Sequence, residues 1–435
     1  MKMEQLDVVQ SFILSMELIL PKYMEEYEIE KVKEDTVQIT DSYGFEMLFI
    51  ISERFPAVAP TILVTAEGQT DQVQTLWDLE IRDVTERMDK MISQFLVPPG
   101  PYRKAFGING FVFNQDFEGS KEAWPVIYTG RNESKEMNNF RNQMLSRVPE
   151  RLANELKDKV VLIVGAGSVG SYIAEQFARN GVECFIFIDP DSVELTNLSR
   201  TMYTLHDIGM SKVSALSRRL MNINPAVQIE GYAIRIEDFQ THEFSQVVER
   251  ADLIIAATDD MNTQYHINRF SYAKDKACLF VGLYNGAKGG EVIMTIPEVT
   301  ACYRCAAPNR INGARDTDYG TGRLNGVVAI NSDIHHVSSA GVKLGLAILS
   351  CNSKGLELRN FLMKLLEKNY SYLTMSMEDN YLYFPRIFKE VEGQYAYQSY
   401  WISPERNPEC PICGNQEHRL CPDDIPLTAP ETSSL

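Results

Sequence analysis

The stretch from Lys159 to Gly181 constrains the fold more than any other. Val160-Val161-Leu162-Ile163-Val164 is an unbroken run of β-branched residues and leucine, which suits a strand buried on both faces, as in a parallel sheet. It enters Gly165-Ala166-Gly167-Ser168-Val169-Gly170. Val169, Ile173 and Phe177 then recur at helical spacing up to Gly181, which is placed to end the helix. Strand, glycine turn and helix in this order have a mechanism. Glycines let the backbone turn tightly and come close to an anion, and the helix N-terminus faces that anion. Alone, the pattern does not choose between a mononucleotide and a nicotinamide or flavin dinucleotide.

Cys184 to Ile188 reads as a second apolar strand ending at Asp189, where an acid accepts hydrogen bonds from ribose hydroxyls. Leu253 to Ala257 and Ala277 to Val281 read as further strands. Strands alternating with helical stretches predict an α/β architecture, a doubly wound and mostly parallel sheet. Nearer the N-terminus the pattern differs. Leu6, Val9, Ile13, Met16 and Leu20 predict a helix that Pro21 stops. Alternating segments at Thr36–Thr40, Glu46–Ile51 and Thr61–Thr65 follow, then a helical stretch from Trp77 to Phe95 before Pro98-Pro99-Gly100-Pro101. Residues 102–150 read as a linker with a helix near its end, residues 308–326 as a crossing loop, and Asp333 to Ser350 as a helix.

A chain of 435 residues exceeds one core of usual size, so two or three domains are expected. Its formal net charge of −17 excludes a general binder of nucleic acid or of anionic membrane surfaces. No apolar run of membrane-spanning length occurs, and the start of the chain, carrying Glu4, Asp7 and Glu17, does not read as a secretory signal. The expected setting is cytoplasmic. Among the eight cysteines, Cys302/Cys305 and Cys410/Cys413 form two Cys-x-x-Cys pairs, a spacing that suits tetrahedral Zn²⁺. Together they would make a closed four-cysteine site, but spacing alone does not bring the two pairs together, and a redox motif is the alternative.

After Asp189 the chain runs IDPDSVELTNLSR and then DIGMSKV, which sets Asn197, Arg200 and Lys212 within a short distance of the acidic strand end. A nicotinamide enzyme has no evident need for this cationic pair. An enzyme attacking the α-phosphate of ATP does, because charge builds on phosphorus and on the departing pyrophosphate. The combination of GAGSVG, IDPDSVELTNLSR, DIGMSKV and AATDD resembles the adenylation domain of the ThiF, MoeB and ubiquitin-activating enzyme superfamily, over about residues 138–350.

That resemblance implies a Rossmann-like adenylation domain at 151–350, preceded by a linker and helix at 116–150 and followed by a zinc-bound C-terminal segment at 351–435. The order of elements before residue 115, with Phe55-Pro56 and Pro60, resembles an RWD or ubiquitin-conjugating α+β domain, though without a cysteine. By the same resemblance Gly165, Gly167 and Gly170 line the nucleotide, and Asp189 holds the ribose with Asp191 beside it. Asn197, Arg200 and Lys212 contact phosphates, Asp259 in Thr258-Asp259-Asp260 holds Mg²⁺, and the two Cys pairs meet on one Zn²⁺. Arg141 in Phe140-Arg141-Asn142-Gln143 matches an arginine that reaches the partner's ATP in homodimeric relatives.

The activity so implied is adenylation of a ubiquitin-like protein's C-terminal carboxylate, as the first step of conjugation. A homodimer and a conjugating-enzyme partner are expected, and bacterial conjugation and antiviral defence are one setting. Rival readings are adenylation of a ribosomal peptide or sulfur carrier, an NAD(P) oxidoreductase, and a non-catalytic nucleotide-binding scaffold. Relatives that go beyond adenylation carry a cysteine in the crossing loop or an inserted domain. Residues 308–326 have none, so three alternatives stand: the protein only adenylates and a partner's nucleophile accepts the acyl group, a loop hydroxyl (Thr317 or Thr321) accepts it, or a cysteine outside the loop does, Cys421 of the tail or Cys351 after the apolar helix.

Overall fold

The computed structural model describes residues 8–23, 27–41, 46–66, 69–73, 77, 79, 81–92, 126–129, 135–308, 329–378, 384 and 396–428. Its N-terminal part starts with helix α1 (Val8–Ile19), stopped as expected near Pro21. An antiparallel sheet follows, β1 (Tyr27–Lys33), β2 (Thr36–Asp41), β3 (Glu46–Ile50), β4 (Thr61–Ala66) and β5 (Gln69–Val73), in that spatial order. Phe12 and Met16 of α1 pack on Val37, Ile39, Met47, Phe49, Ile62 and Val64, joined by Met88, Met91 and Ile92 of α2 (Val84–Ile92). Alternation at β3 puts Met47 and Phe49 inside because successive strand side chains point to opposite faces.

Two expectations change in this part. The helix read over Trp77–Phe95 begins only at Val84, where the Asp83 carboxylate accepts the Glu86 N–H at 2.8 Å. Trp77 instead donates its indole N–H to the Pro56 carbonyl. β1 and β5 were not expected, since β1 is a largely exposed, charged edge without the apolar alternation of an inner strand.

The second sheet has nine strands in the order β14-β13-β12-β11-β10-β7-β8-β9-β6 among the described residues. Its centre is parallel: β9 (Gln228–Tyr232), β8 (Cys184–Ile188), β7 (Val160–Val164), β10 (Leu253–Ala256) and β11 (Ala277–Leu283). Antiparallel strands flank it, with β6 (Val126–Thr129) on one side and β12 (Gly289–Thr295), β13 (Tyr372–Ser376) and β14 (Gln398–Ile402) on the other. β6 lies in the segment read as linker.

The apolar run of β7 explains itself by its two faces. Val161 and Ile163 pack with Val169, Ile173 and Phe177 of α5 (Ser168–Arg179), with α6 (Lys212–Ile223) and with α10 (Asn331–Leu349). Leu162 and Val164 pack on the opposite side with Phe244 and Val247 of α7 (Thr241–Arg250) and Ile267 and Phe270 of α8 (Met261–Ala273). Each such fully buried side chain contributes about 1.5–3 kcal/mol of hydrophobic stabilisation. Among the described residues the remaining α-helices are α3 (Lys135–Met144), α4 (Glu150–Leu156), the short α9 (Tyr303–Ala306) and α11 (Glu357–Glu367). Because the five central strands run parallel, Gly165 after β7, Asp189 after β8 and Ala257-Thr258-Asp259 after β10 all leave the sheet at one edge, where open α/β sheets bind ligands.

Candidate functional site

The three glycines of the turn do different things. Gly165 has φ +95°, and a Cβ there would lie 2.5 Å from the Ala257 carbonyl oxygen. Gly170 admits no side chain either, because its Cβ would fall 1.8 Å from the Gly165 oxygen. These two let helix α5 close down on β7. Gly167, at the N-cap of α5, has nothing within 4 Å of where its Cβ would be. The fold does not require a glycine at that point. The open space in front of it is where an anion would approach, facing the first N–H groups of the helix.

Asp189 is buried and hydrogen-bonded on both oxygens, from the N–H of Ala166 at 2.6 Å and of Asp191 at 2.9 Å. Burial pushes its pKa up, against the pull of Lys212 and of those two N–H groups. Lys212, the first residue of α6, is buried at its stem, with Nζ 2.8 Å from Asp191 and 3.8 Å from Asp189. Ser211 caps that helix by accepting the Ser214 N–H. Asn197 is buried, and its amide oxygen accepts the Glu194 N–H, which leaves its NH₂ group as a donor. Arg200 is half-exposed, with no ion pair among the described residues.

The two aspartates after β10 divide their work. Asp260 caps α8 by accepting the Thr263 N–H at 2.7 Å. Asp259 is exposed, and its carboxylate has no partner among the described residues. The strand ends thus bring together the glycine turn, Asp189, Asp191, Lys212 and Asp259, with Asn197 and Arg200 on the loop that joins β8 to α6.

Arg141 lies elsewhere. Its guanidinium makes a bidentate pair with the fully buried Glu183, at 2.6 and 2.8 Å, and a third bond to Asn138 at 2.7 Å. Glu183 precedes β8, at the end of the strand opposite Asp189. Within its own chain Arg141 therefore anchors α3 to the sheet one strand length from the edge that carries the glycine turn. The sequence carries no clear sign of this, since Glu183 lies 42 residues away.

The two Cys pairs do meet. Cys302 at the start of α9, Cys305, Cys410 and Cys413 place all four sulfurs within 4.8 Å of one another, with Cys302–Cys410 at 3.7 Å and Cys305–Cys413 at 3.5 Å. Four sulfurs at about 2.3 Å from a tetrahedral Zn²⁺ would be spaced by about 3.8 Å, so the donor set and its size fit that ion. Gly414 completes the knuckle, its N–H bonded to the Cys410 carbonyl at 2.9 Å. Around it, Arg406 and Arg419 both reach Glu298 and bond the carbonyls of Cys413 and Gly414.

One polar path was not expected from the sequence. Tyr303, between two of the cysteines, donates to Gln264 Oε1 at 2.7 Å, and Gln264 Nε2 donates to the Thr258 carbonyl at 2.6 Å. The cysteine knuckle is thereby tied to the residue that precedes Asp259.

As for acyl acceptors, Cys278 is fully buried, and that burial pushes its thiol pKa well up. Cys184 and Cys351 are half-buried, and Cys421 is exposed. Thr317 and Thr321, with the crossing loop, lie outside the described residues.

The sequence model of the ThiF family matches residues 140–381. The chain is 32% identical over 185 residues to the ubiquitin-like modifier-activating enzyme 5 of Bombyx mori, an alignment covering 40% of this chain and 46% of that protein. To the enzyme of the same name from Gallus gallus it is 32% identical over 184 residues, covering 40% and 46%. The chain therefore spans under half the length of these relatives. Among solved structures it is similar to that of E. coli MccB with ATP, at 18% identity and a TM-score of 0.46, covering 81% of this chain and 95% of that one.

Proposed function

The chain belongs to the ThiF family, and from that premise we propose that it uses ATP to adenylate the C-terminal carboxylate of a ubiquitin-like protein, as the first step of conjugation. The name of its relatives, ubiquitin-like modifier-activating enzymes, supports that choice of substrate over a free peptide or a sulfur carrier. One observation carries the reading. An open glycine turn, a hydrogen-bonded acid, a buried lysine and an unpartnered aspartate stand together at the carboxyl edge of one parallel sheet.

In this reading Asp189 takes the ribose hydroxyls with its remaining lone pairs. The N–H groups at the start of α5 face the phosphates. Asn197, Arg200 and Lys212 neutralise the charge that develops as the carboxylate oxygen bonds to the α-phosphorus and the bond to pyrophosphate breaks. Lys212 is held beside that site by the carboxylates of Asp191 and Asp189. Asp259 would hold Mg²⁺, which supplies charge neutralisation on the phosphate oxygens. The four cysteines would hold a structural Zn²⁺ that binds the C-terminal segment to the core. The region before residue 115 would recruit the substrate or a conjugating partner, and a homodimer is the expected assembly.

The test is exchange of labelled pyrophosphate into ATP, with and without a β-grasp protein ending in a free glycine. Exchange that needs the partner's free carboxylate and disappears in Asp259→Ala supports the reading. Purified protein without affinity for ATP overturns it, and ATP binding that supports no exchange with any carboxylate leaves a scaffold.

A further inference from the structure

We propose that Tyr203 is a positioning residue for phosphate binding: its hydroxyl sets the direction in which the glycine turn offers its N–H groups and locks the start of α6 to that turn. The inference rests on the nucleotide reading above and adds a residue to it.

Tyr203 stands three positions after Arg200, on the loop between β8 and α6, and its side chain is buried among Val169, Met210 and Val213. Its hydroxyl lies 2.6 Å from the Ala166 carbonyl oxygen and 3.2 Å from that of Lys212. A phenol has one proton, so the shorter contact takes most of it and the two form a three-centre bond. Burial pushes the phenol pKa well up, with Asp189 and Asp207 adding to the effect, so the proton stays in place throughout the neutral range.

Two consecutive peptide planes of the turn are fixed as a result. The Ala166 N–H is held by Asp189 at 2.6 Å, and the Ala166 carbonyl is held by Tyr203. In a planar trans peptide the carbonyl and the following N–H point in opposite directions. With the Ala166 carbonyl drawn inward to Tyr203, the Gly167 N–H must point away from that phenol, and the place a Cβ on Gly167 would take, beside that N–H, is free of other atoms to 4 Å. The same hydroxyl contacts the backbone of Lys212, whose N–H is held from the other side by the Asp191 carbonyl at 2.8 Å. One proton thus couples the neutral phosphate donors of the turn to the residue that carries the ammonium.

The test is Tyr203→Phe, which keeps the ring in the core and removes only the hydroxyl. Binding of ATP with Mg²⁺ and of adenosine is measured by titration calorimetry well below the melting transition, with Tyr23→Phe as control. Tyr23 also spends a partly buried phenol hydrogen bond, on Asp89, but in the N-terminal sheet region. Tyr203→Phe is expected to weaken ATP about tenfold, the size of one lost orienting hydrogen bond, while adenosine changes less than twofold and Tyr23→Phe binds both like the wild type. Unchanged ATP affinity in Tyr203→Phe overturns the proposal even if its melting point falls, and so does an equal loss for ATP and adenosine. A wild-type protein that binds no ATP removes the nucleotide reading itself, an outcome distinct from a variant that binds as well as its parent.

Discussion

At the scale of single residues, the motif mixes positions the fold needs with positions it does not. Gly170 is needed, since a methyl there would sit 1.8 Å from the Gly165 oxygen and only backbone movement could relieve it. Gly170→Ala is expected to cost more than about 4 kcal/mol, in the range reserved for gross steric conflict, and to yield little folded protein. Gly167→Ala meets nothing within 4 Å and should lose no more than about 1 kcal/mol, the size of a cap effect, yet weaken ATP at least tenfold by filling the approach to the helix N-terminus. Thermal melts beside ATP titrations of both variants check this. If Gly167→Ala binds ATP normally, the space in front of it is not the phosphate site. The motif residues could be read from the sequence because each sits at a fixed offset from a strand end. Tyr203, Gln264 and Glu183 could not, because their partners, Ala166, Tyr303 and Arg141, lie 37, 39 and 42 positions away and no local rule joins them.

At the scale of elements, four of the five parallel strands, β7, β8, β10 and β11, were legible to within two residues because burial on both faces forces an uninterrupted apolar run, whereas β9, Gln-Ile-Glu-Gly-Tyr, has no such run and was missed. The antiparallel β14 was not legible either, since it buries one end and exposes Ser399 and Tyr400. Helices α5 and α6 illustrate a different tie. Glu175 of α5 is buried yet receives both Arg179, at 2.8 Å, and Arg219 of α6. Burial raises the Glu175 pKa, but the two guanidinium groups outweigh it, so the folded value lies below the ordinary glutamate value. A carboxylate with a depressed folded pKa contributes stability above its unfolded value and loses it as pH falls through the folded one. Denaturant unfolding between pH 6 and pH 3 should therefore show a shallower loss of stability in Glu175→Gln, which starts about 1–3 kcal/mol less stable at neutral pH. Equal slopes in the two proteins would remove this pair from the acid response.

The cysteine cluster acts between elements in the same way. Chelating the metal, or Cys410→Ser, should raise hydrogen exchange across residues 404–428, where Arg406, Arg419 and the knuckle carbonyls interlock. The amides of β7 should stay protected, because that strand's core contains none of the four cysteines. ATP affinity should fall as well, since Tyr303 and Gln264 carry the position of α9 to Thr258. Release of one zinc per chain with no change in exchange would make the cluster an ornament of the fold.

At the scale of the whole molecule, the question is which parts stand alone. Among the described residues the apolar cores divide cleanly: the cluster of α1, α2 and the five-stranded sheet contains no residue after Ile92, and the clusters of the nine-stranded sheet contain none before Val148. A division near residue 115 falls between them, and it leaves β6 at Val126–Thr129 attached to β9, whose edge it covers. Cutting later would strip that edge and expose a row of unpaired N–H and carbonyl groups to other chains. A chain of residues 116–435 is therefore expected to fold, to bind ATP within about twofold of the full protein, and to lose pyrophosphate exchange driven by the protein substrate, because recruitment is assigned to the missing part. The converse outcome is equally readable. If the shorter chain activates its substrate unaided, the N-terminal sheet serves a later partner, and if it aggregates or loses ATP binding, the two cores are not independent and the division at 115 is wrong.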